Sequence, residues 1–282
     1  MARYVELQVT SHFSFLRGAS SPEELFSAAA LLGHQALGLA DWGSVAGVVR
    51  GWAGQKATGV RMIAGARVDL SDGRALLLYP TDRAAWSQLT RLLSVGKARG
   101  GKGCCLLDWA DLANHAQGLI AILLPDLADS TTLANLAELR QVFGNRAYMA
   151  LSLRRRPEDA ARLHDLDVMA HKAGVRSVAT GDILYHTPEA RPLQDVMTAI
   201  REQTSIDALG FKRERYMDRN LKSPQEMERR FAAFPDAIRG GKDGRIRKDG
   251  GEFIGKGGGD GQLHLGAEIF DIRDDAVVSD SI

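Results

Sequence analysis

The chain has 282 residues, of which 45% are hydrophobic and 25% charged, and its formal net charge is +1. This composition is ordinary for a soluble globular protein, and the length fits one large domain or two small ones. The near-neutral balance gives no strong electrostatic sign of nucleic-acid binding, while leaving weak or partner-dependent contact with DNA open. No segment approaches the roughly 20 apolar residues of a membrane span, so we expect no membrane partner and a cytoplasmic location.

The N-terminus and the two cysteines give no sign of a signal peptide, a disulfide framework or a zinc site. The first seven residues carry both charges and no long apolar run, so no signal peptide is expected. Cys104 and Cys105 are adjacent and offer neither a disulfide framework nor the spacing of zinc ligands. We interpret them as reduced thiols near a surface loop.

Short apolar runs alternate with helical patterns along most of the chain. Two of the predicted helices open with a serine N-cap, a proline at the first helical position and an acid in the first turn, at Ser21 and Ser223. The predicted strands are 4–9, 36–40, 60–64, 75–79, 118–124, 148–153 and 175–180. The predicted helices are 21–32, 45–57, 82–95, 130–143, 157–172, 188–201 and 223–234.

Repeated strand–helix units with nearly continuous apolar strands predict an α/β fold with a parallel sheet. About seven such units favour a barrel over a short open sheet, although periodicity alone leaves closure undecided. In either architecture, functional chemistry is expected at the carboxyl ends of the strands.

The character of the sequence changes after residue 239. Residues 240–261 contain ten glycines among lysines, arginines and aspartates, without a hydrophobic period. Such a composition buries too little apolar surface to offset chain entropy. We therefore predict a domain at 1–239 and a disordered, glycine-rich tail at 240–282. The abrupt change suggests a frameshifted end, with a short paralogue that has a natural tail as the alternative.

Several segments of the chain carry a family resemblance. In chain order they are ELQVTSHFSFLRGAS at 6–20, LADWGSVAGVVR at 39–50, IAGARVD at 63–69, VATGDILYH at 178–186 and PLQDVMTAIR at 192–201. In their order and spacing, over about residues 3–239, they resemble the N-terminal PHP domain of bacterial C-family DNA polymerase alpha subunits. Within them, FSFLRGAS and LQDVMTAIR indicate the error-prone, damage-associated branch of that family. The resemblance implies a distorted (βα)7 barrel.

In metal-binding PHP domains, histidines and carboxylates at strand ends hold two or three metal ions, which activate water and stabilise phosphoryl oxygens. Arginine, tryptophan and leucine cannot replace such ligands, and arginine repels a cation. The resemblance therefore implies a degraded pocket in which only Asp182 clearly keeps a ligand type. The positions it assigns to the pocket are Gln8, Thr10, Asp41, Trp42, Arg67, Arg154, Asp182 and Leu184.

Two hypotheses remain for this pocket. Arg67 and Arg154 either pair with Asp41 and Asp182, replacing the lost metal charge, or bind a phosphate group. A displaced metal site made of His12, Asp182 and His186 is a further alternative, since residues two apart on a strand share a face. The other histidines are interpreted as solvated surface residues, namely His34, His115, His164 and His171.

The resemblance implies a fragment of an error-prone DNA polymerase linked to translesion synthesis and DNA repair. Its PHP domain would be a structural platform that contacts the rest of the polymerase or accessory repair proteins, and DNA only through the full-length family protein. We expect no cofactor in this chain, because the magnesium ions of the family serve a downstream palm domain that nothing here resembles. The alternatives are a stand-alone metal-dependent phosphoesterase and a non-catalytic protein-binding module.

Overall fold

The computed structural model describes residues 4–153, 155, 157–212 and 218–240. Arg154 and the predicted tail from residue 241 onwards lie outside this range. Seven strands form one sheet in which each strand pairs with the next along the chain. They are β1 (Glu6–Val9), β2 (Ala36–Trp42), β3 (Arg61–Asp69), β4 (Ala75–Pro80), β5 (Leu119–Leu123), β6 (Ala147–Ser152) and β7 (Arg176–Thr180).

Helices surround the sheet, and most of them follow the predicted order. They are α1 (Pro22–Leu31), α2 (Val48–Thr58), α3 (Arg83–Gly100), α4 (Trp109–Asn114), α5 (Ser130–Phe143), α6 (Asp159–Lys172), α7 (Arg191–Arg201), α8 (Pro224–Arg230) and α9 (Pro235–Ile238). Short 3-10 helices lie at Gly144–Arg146, Pro188–Ala190 and Asp207–Lys212.

The predicted all-parallel sheet is wrong at one strand, because β4 runs antiparallel to both of its neighbours. The link from β3 to β4 spans only Leu70–Arg74, which is too short for the crossover that parallel strands require. Instead the chain reverses in a tight turn in which the Gly73 amide donates to the Leu70 carbonyl at 3.0 Å. Gly73 has φ +89°, a left-handed conformation that glycine adopts without strain.

The apolar core has an inner and an outer layer. Alternate residues of all seven strands point inward and form one cluster, which includes Leu7, Ile63 and Tyr79. The residues between them face outward and pack under the helices, as Leu37 and Leu39 do against Phe26 of α1. Side chains therefore fill the interior of the sheet, as in a small barrel rather than a pore.

The sheet closes where β1 meets the segment that follows β7. The Thr10 amide donates to the Ile183 carbonyl at 2.9 Å, and the Ile183 amide donates to the Gln8 carbonyl at 2.8 Å. The buried Glu6 carboxylate accepts the amides of Gln8 at 2.9 Å and Gly181 at 2.8 Å. The predicted seven-stranded barrel is thus confirmed, and it is nearly closed along this seam.

Helix boundaries follow local signals with a few exceptions. Ser21 is the N-cap of α1, as predicted, and it also forms a capping box with Glu24. The predicted helix at 223–234 is shorter than expected, because α8 ends at Arg230. A separate helix, α9, begins at Pro235, where the missing amide proton is tolerated in a first turn. The short α4 was not predicted, although its Asp108 N-cap also forms a capping box.

His34 corrects an expectation from the sequence, since it is only 5% exposed rather than solvated. Its Nε2 atom lies 2.8 Å from the Lys222 carbonyl oxygen, and its ring lies beside that of Tyr4. Burial lowers the pKa of His34, which favours the neutral ring. His34 therefore joins the end of α1 to the segment before α8.

None of the described helices is long and apolar enough to cross a membrane.

We predict that Glu6 makes stability decrease as pH rises. Burial raises the pKa of Glu6 from 4.5 to about 7, although the bonds from Tyr4, Gln8 and Gly181 oppose this shift. The folded state thus binds the proton more tightly than the unfolded state. Between pH values of about 4 and 8, this group should lower the free energy of unfolding by roughly 3 kcal/mol.

Urea denaturation at several pH values measures this dependence. Glu6→Gln should flatten the curve, because glutamine accepts hydrogen bonds but does not ionise. The control Glu23→Gln changes a side chain that is 44% exposed and should keep the wild-type slope. An unchanged slope in Glu6→Gln would contradict the assignment.

Candidate functional site

The candidate site is the mouth of the barrel at the carboxyl ends of the parallel strands. Trp42 and Arg67 are register partners on β2 and β3. Trp42 follows Ala40 by two residues and Arg67 follows Ile63 by four, so both side chains lie on the inward face that Ala40 and Ile63 share. Both large side chains therefore occupy the mouth, where the resemblance places a metal pocket.

Asp182 is the centre of this site, and its side chain is only 4% exposed. One carboxylate oxygen lies 2.8 Å from Nη2 of Arg219, and the other accepts a hydrogen bond from the side-chain Nε2 of Gln8 at 2.8 Å. Arg67 approaches the same carboxylate at 4.0 Å. Two arginines and one amide thus surround the carboxylate, and the arginines supply the positive charge that a buried anion requires.

A chain of hydroxyl groups supports Gln8 from β6 and β7. Thr180 Oγ1 donates to Gln8 Oε1 at 2.8 Å, and Ser152 Oγ lies 2.6 Å from Thr180 Oγ1. All three side chains are buried. This network fixes the orientation of the Gln8 amide, whose nitrogen then faces Asp182 as a donor.

Trp42 lies between two arginines. The guanidinium carbons of Arg17 and Arg67 lie 3.5 and 3.6 Å from its ring centroid. Each contact is expected to contribute on the order of 1 kcal/mol. Arg67 Nε also donates to Asp69 at 3.0 Å. Partial burial lowers the pKa of Arg17, and Arg201 adds to this effect by repulsion, but the group stays charged.

Asp41 belongs to a separate cluster of serines. Its carboxylate accepts the Ser11 amide at 2.9 Å and the Ser14 hydroxyl at 2.7 Å, and the Ser11 hydroxyl also donates to it. Burial raises the pKa of Asp41, while these bonds oppose the shift. The Ser14 hydroxyl in turn accepts the Trp42 amide at 2.9 Å. Hydrogen bonds from a single loop therefore compensate the burial of this carboxylate.

The structure brings together only some of the predicted positions. Gln8, Arg67 and Asp182 are in one network, and Trp42 joins it through Arg67. Thr10 is buried, and its backbone helps to close the barrel seam. Leu184 packs elsewhere, in an apolar cluster with Ala19 and Tyr185.

The described residues do not fit a multinuclear metal centre. Across those residues, no three His, Cys, Asp or Glu side chains are grouped to hold a metal ion. His12 and His186 both lie beside Ser20: the His12 amide donates to its carbonyl, and His186 Nδ1 lies 2.7 Å from its hydroxyl. The ion pairs of the Asp182 carboxylate within the described residues are with guanidinium groups, which repel a divalent cation.

Sequence reasoning missed several residues that complete the site. Arg219 lies 37 residues beyond its partner Asp182, and no local pattern marks this pairing. Ser11, Ser14 and Arg17 belong to the segment that carried the resemblance. Their roles depend on how that loop folds over Asp41 and Trp42, which strand and helix patterns do not encode.

We predict that Asp182→Asn strongly destabilises the protein. Asn tolerates the left-handed backbone of this position, where φ is +52°, so the change mainly removes the charge. Arg219, whose side chain is 14% exposed, would lose its ion pair with the Asp182 carboxylate. The expected decrease in the free energy of unfolding is about 3 kcal/mol, measured by urea denaturation.

Asp72→Asn is the matched control, since Asp72 pairs with Arg74 but is 40% exposed. It should lower the free energy of unfolding by no more than about 1 kcal/mol. Equal effects of the two substitutions would show that Arg219 does not depend on Asp182.

Comparison with known proteins gives error-prone DNA polymerases as relatives. The chain is 54% identical to Error-prone DNA polymerase 2 of Rhizobium meliloti over 236 residues, which are 84% of this chain and 22% of the relative. Error-prone DNA polymerase 1 of Agrobacterium fabrum is 55% identical to the chain, and the error-prone DNA polymerase of Caulobacter vibrioides is 43% identical. Each match covers 22% of the relative's length. The chain spans about a fifth of these relatives and matches their N-terminal regions.

The fold agrees with this comparison. A Bifidobacterium adolescentis crystal structure, assigned to a metal-dependent phosphoesterase, superposes with a TM-score of 0.50 at 11% identity, covering 64% of this chain and 88% of that one. This likeness concerns the fold alone. The family model described as the PHP domain matches residues 6–163, more than half of the chain. The chain belongs to the PHP domain family.

Proposed function

We propose that this chain is the N-terminal PHP domain of an error-prone DNA polymerase and that it is a structural platform rather than a catalyst. The identity to error-prone polymerases over 84% of the chain is the observation that carries the proposal. By extension, the process served is translesion synthesis within DNA repair, in the cytoplasm. Polymerisation and its magnesium ions belong, in this proposal, to the part of the relatives that the chain does not match.

The barrel mouth supports the structural role. Arg219 and Arg67 supply positive charge at Asp182, a position where the family pocket would use metal ions. Because the guanidinium groups are covalently attached, this charge is present whether or not metal is available. We therefore propose that the degraded pocket holds the barrel closed, with ion pairs in place of a metal centre, and that it does not bind phosphate.

The same arrangement gives less support to a stand-alone phosphoesterase. Such an enzyme needs a metal-bound water and an open coordination position. At this mouth, Trp42 and its two stacked arginines occupy the space, and the Asp182 carboxylate is already bonded to Gln8 and Arg219.

Primer extension tests the polymerase assignment. The 282-residue chain alone should incorporate no nucleotides. A chimera in which residues 1–239 replace the matching region of the Rhizobium meliloti polymerase should extend a primer, because the platform is then joined to the catalytic part. A folded chimera without activity would contradict the proposal.

Chelation tests the metal question independently. Dialysis of the chain against EDTA should leave its thermal midpoint unchanged, because no metal contributes to folding. Added Mn²⁺ or Zn²⁺ should produce neither stabilisation nor hydrolysis of a chromogenic phosphate ester. A midpoint that falls on chelation and returns with metal, together with ester hydrolysis, would favour the phosphoesterase.

A further inference from the structure

Helix α7 is amphipathic in the reverse sense to an ordinary surface helix. Its buried residues are mostly polar and include Gln194, Asp195 and Thr198. Its exposed residues are all apolar: Pro192 and a stripe that we define as Leu193, Val196 and Ile200. Leu193 and Ile200 are 53% and 57% exposed. A helix that packs only on its own domain would show the opposite pattern.

The inner face of α7 is fixed by specific contacts, so the helix is not free to rotate its stripe inward. Thr198 Oγ1 donates to the Gln194 carbonyl at 2.9 Å and Arg191 pairs with the buried Asp195 at 3.5 Å, so these inner polar groups have partners within the helix itself. Met197 packs against the apolar cluster around Tyr185, and Arg201 bonds to the Leu16 carbonyl. Rotating the helix would bury the stripe but break these contacts with other elements. The stripe thus faces away from the barrel.

A second apolar feature adjoins the C-terminal end of α7. Arg201 Nη1 donates to the Leu16 carbonyl at 2.8 Å and so joins the helix to the loop at 13–17. In that loop Phe15 is 82% exposed and Phe13 is 37% exposed. The stripe and the two aromatic rings lie on elements that touch. Neighbouring exposed apolar groups of this kind mark interaction surfaces more often than single ones do.

We infer that the α7 stripe is the docking surface for the polymerase region that follows the PHP domain, an inference that rests on the proposed function. The relatives share this domain at high identity, yet the domain is only 22% of their length. The rest of each relative is therefore tethered to the domain at high effective concentration. In each of these relatives, the remaining region is thus available to cover the stripe.

The chemistry of the stripe restricts the partner surface. Residues 193, 196 and 200 are spaced by three and four, so they share one face of the helix. No exposed residue of α7, all of which is described, carries a charge. The partner surface is therefore apolar rather than charged, as at the dehydrated centre of a stable interface.

Cysteine labelling in the chimera tests this docking. In a Cys104→Ser, Cys105→Ser background, Ile200→Cys is labelled with a maleimide in the 282-residue chain and in the chimeric polymerase. We expect labelling to be slower in the chimera by about tenfold or more, since an interface core excludes solvent. Leu31→Cys is the control, because Leu31 is 90% exposed on α1 and should react equally in both.

The outcomes separate this inference from the proposed function. A chimera that extends primers while Ile200→Cys is slowed no more than Leu31→Cys overturns the docking surface but keeps the polymerase assignment. A folded chimera that is inactive but labels slowly at Ile200→Cys supports the docking surface and overturns the polymerase assignment. A chain that forms dimers and already reacts slowly at Ile200→Cys would assign the stripe to a second copy and overturn the inference.

If the chimera does not fold, the natural Rhizobium meliloti polymerase provides the same comparison. Cysteine is placed at its residues that align with Ile200 and Leu31. Slow labelling at the first position relative to the second supports the docking surface, and equal labelling overturns it.

Discussion

The pairing of Asp182 with Arg219 and Arg67 is the interaction on which the barrel mouth depends. A carboxylate that is almost fully buried requires positive charge or several donors, or it becomes neutral. A divalent ion supplies that charge only while it is bound, whereas an arginine supplies it permanently. In the proposed structural role, one set of side chains thus both stabilises the fold and takes the place of metal ions.

The seam between β1 and β7 extends this network through the barrel. Gln8 donates to Asp182 from its side chain, while its backbone carbonyl accepts the Ile183 amide. Glu6, two residues earlier on β1, accepts the Gly181 amide directly before Asp182. A side chain at Gly181 would place its Cβ 2.5 Å from Glu6 Oε2, so glycine permits this close approach. Closure and charge compensation are therefore properties of one contiguous group of residues.

Local signals were sufficient for most of the fold but not for the site. The serine caps at Ser21 and Ser223 each accept the amide three residues later, as their sequence patterns predict. The reversed β4 also had a local signal, the turn ending in Gly73, which the strand–helix rhythm obscured. The pairing of Arg219 with Asp182 had none, because two side chains 37 residues apart meet only after the barrel forms. Sequence offered arginine in place of metal charge as one of two hypotheses for Arg67 and Arg154, but it did not identify Arg219, which lies closer to Asp182.

Helix α7 shows why a domain's own core cannot account for every position in its sequence. A hydrophobic pattern records all the surfaces that a helix packs against, including those on other parts of a longer polypeptide. In α7 the buried face is mostly polar and the exposed residues are apolar, so the outward apolar stripe cannot be explained by packing within this domain. Its segment belongs to the run at 192–201 that carried the resemblance to polymerases. The same residues that indicate the family thus also indicate where the rest of a polymerase would make contact.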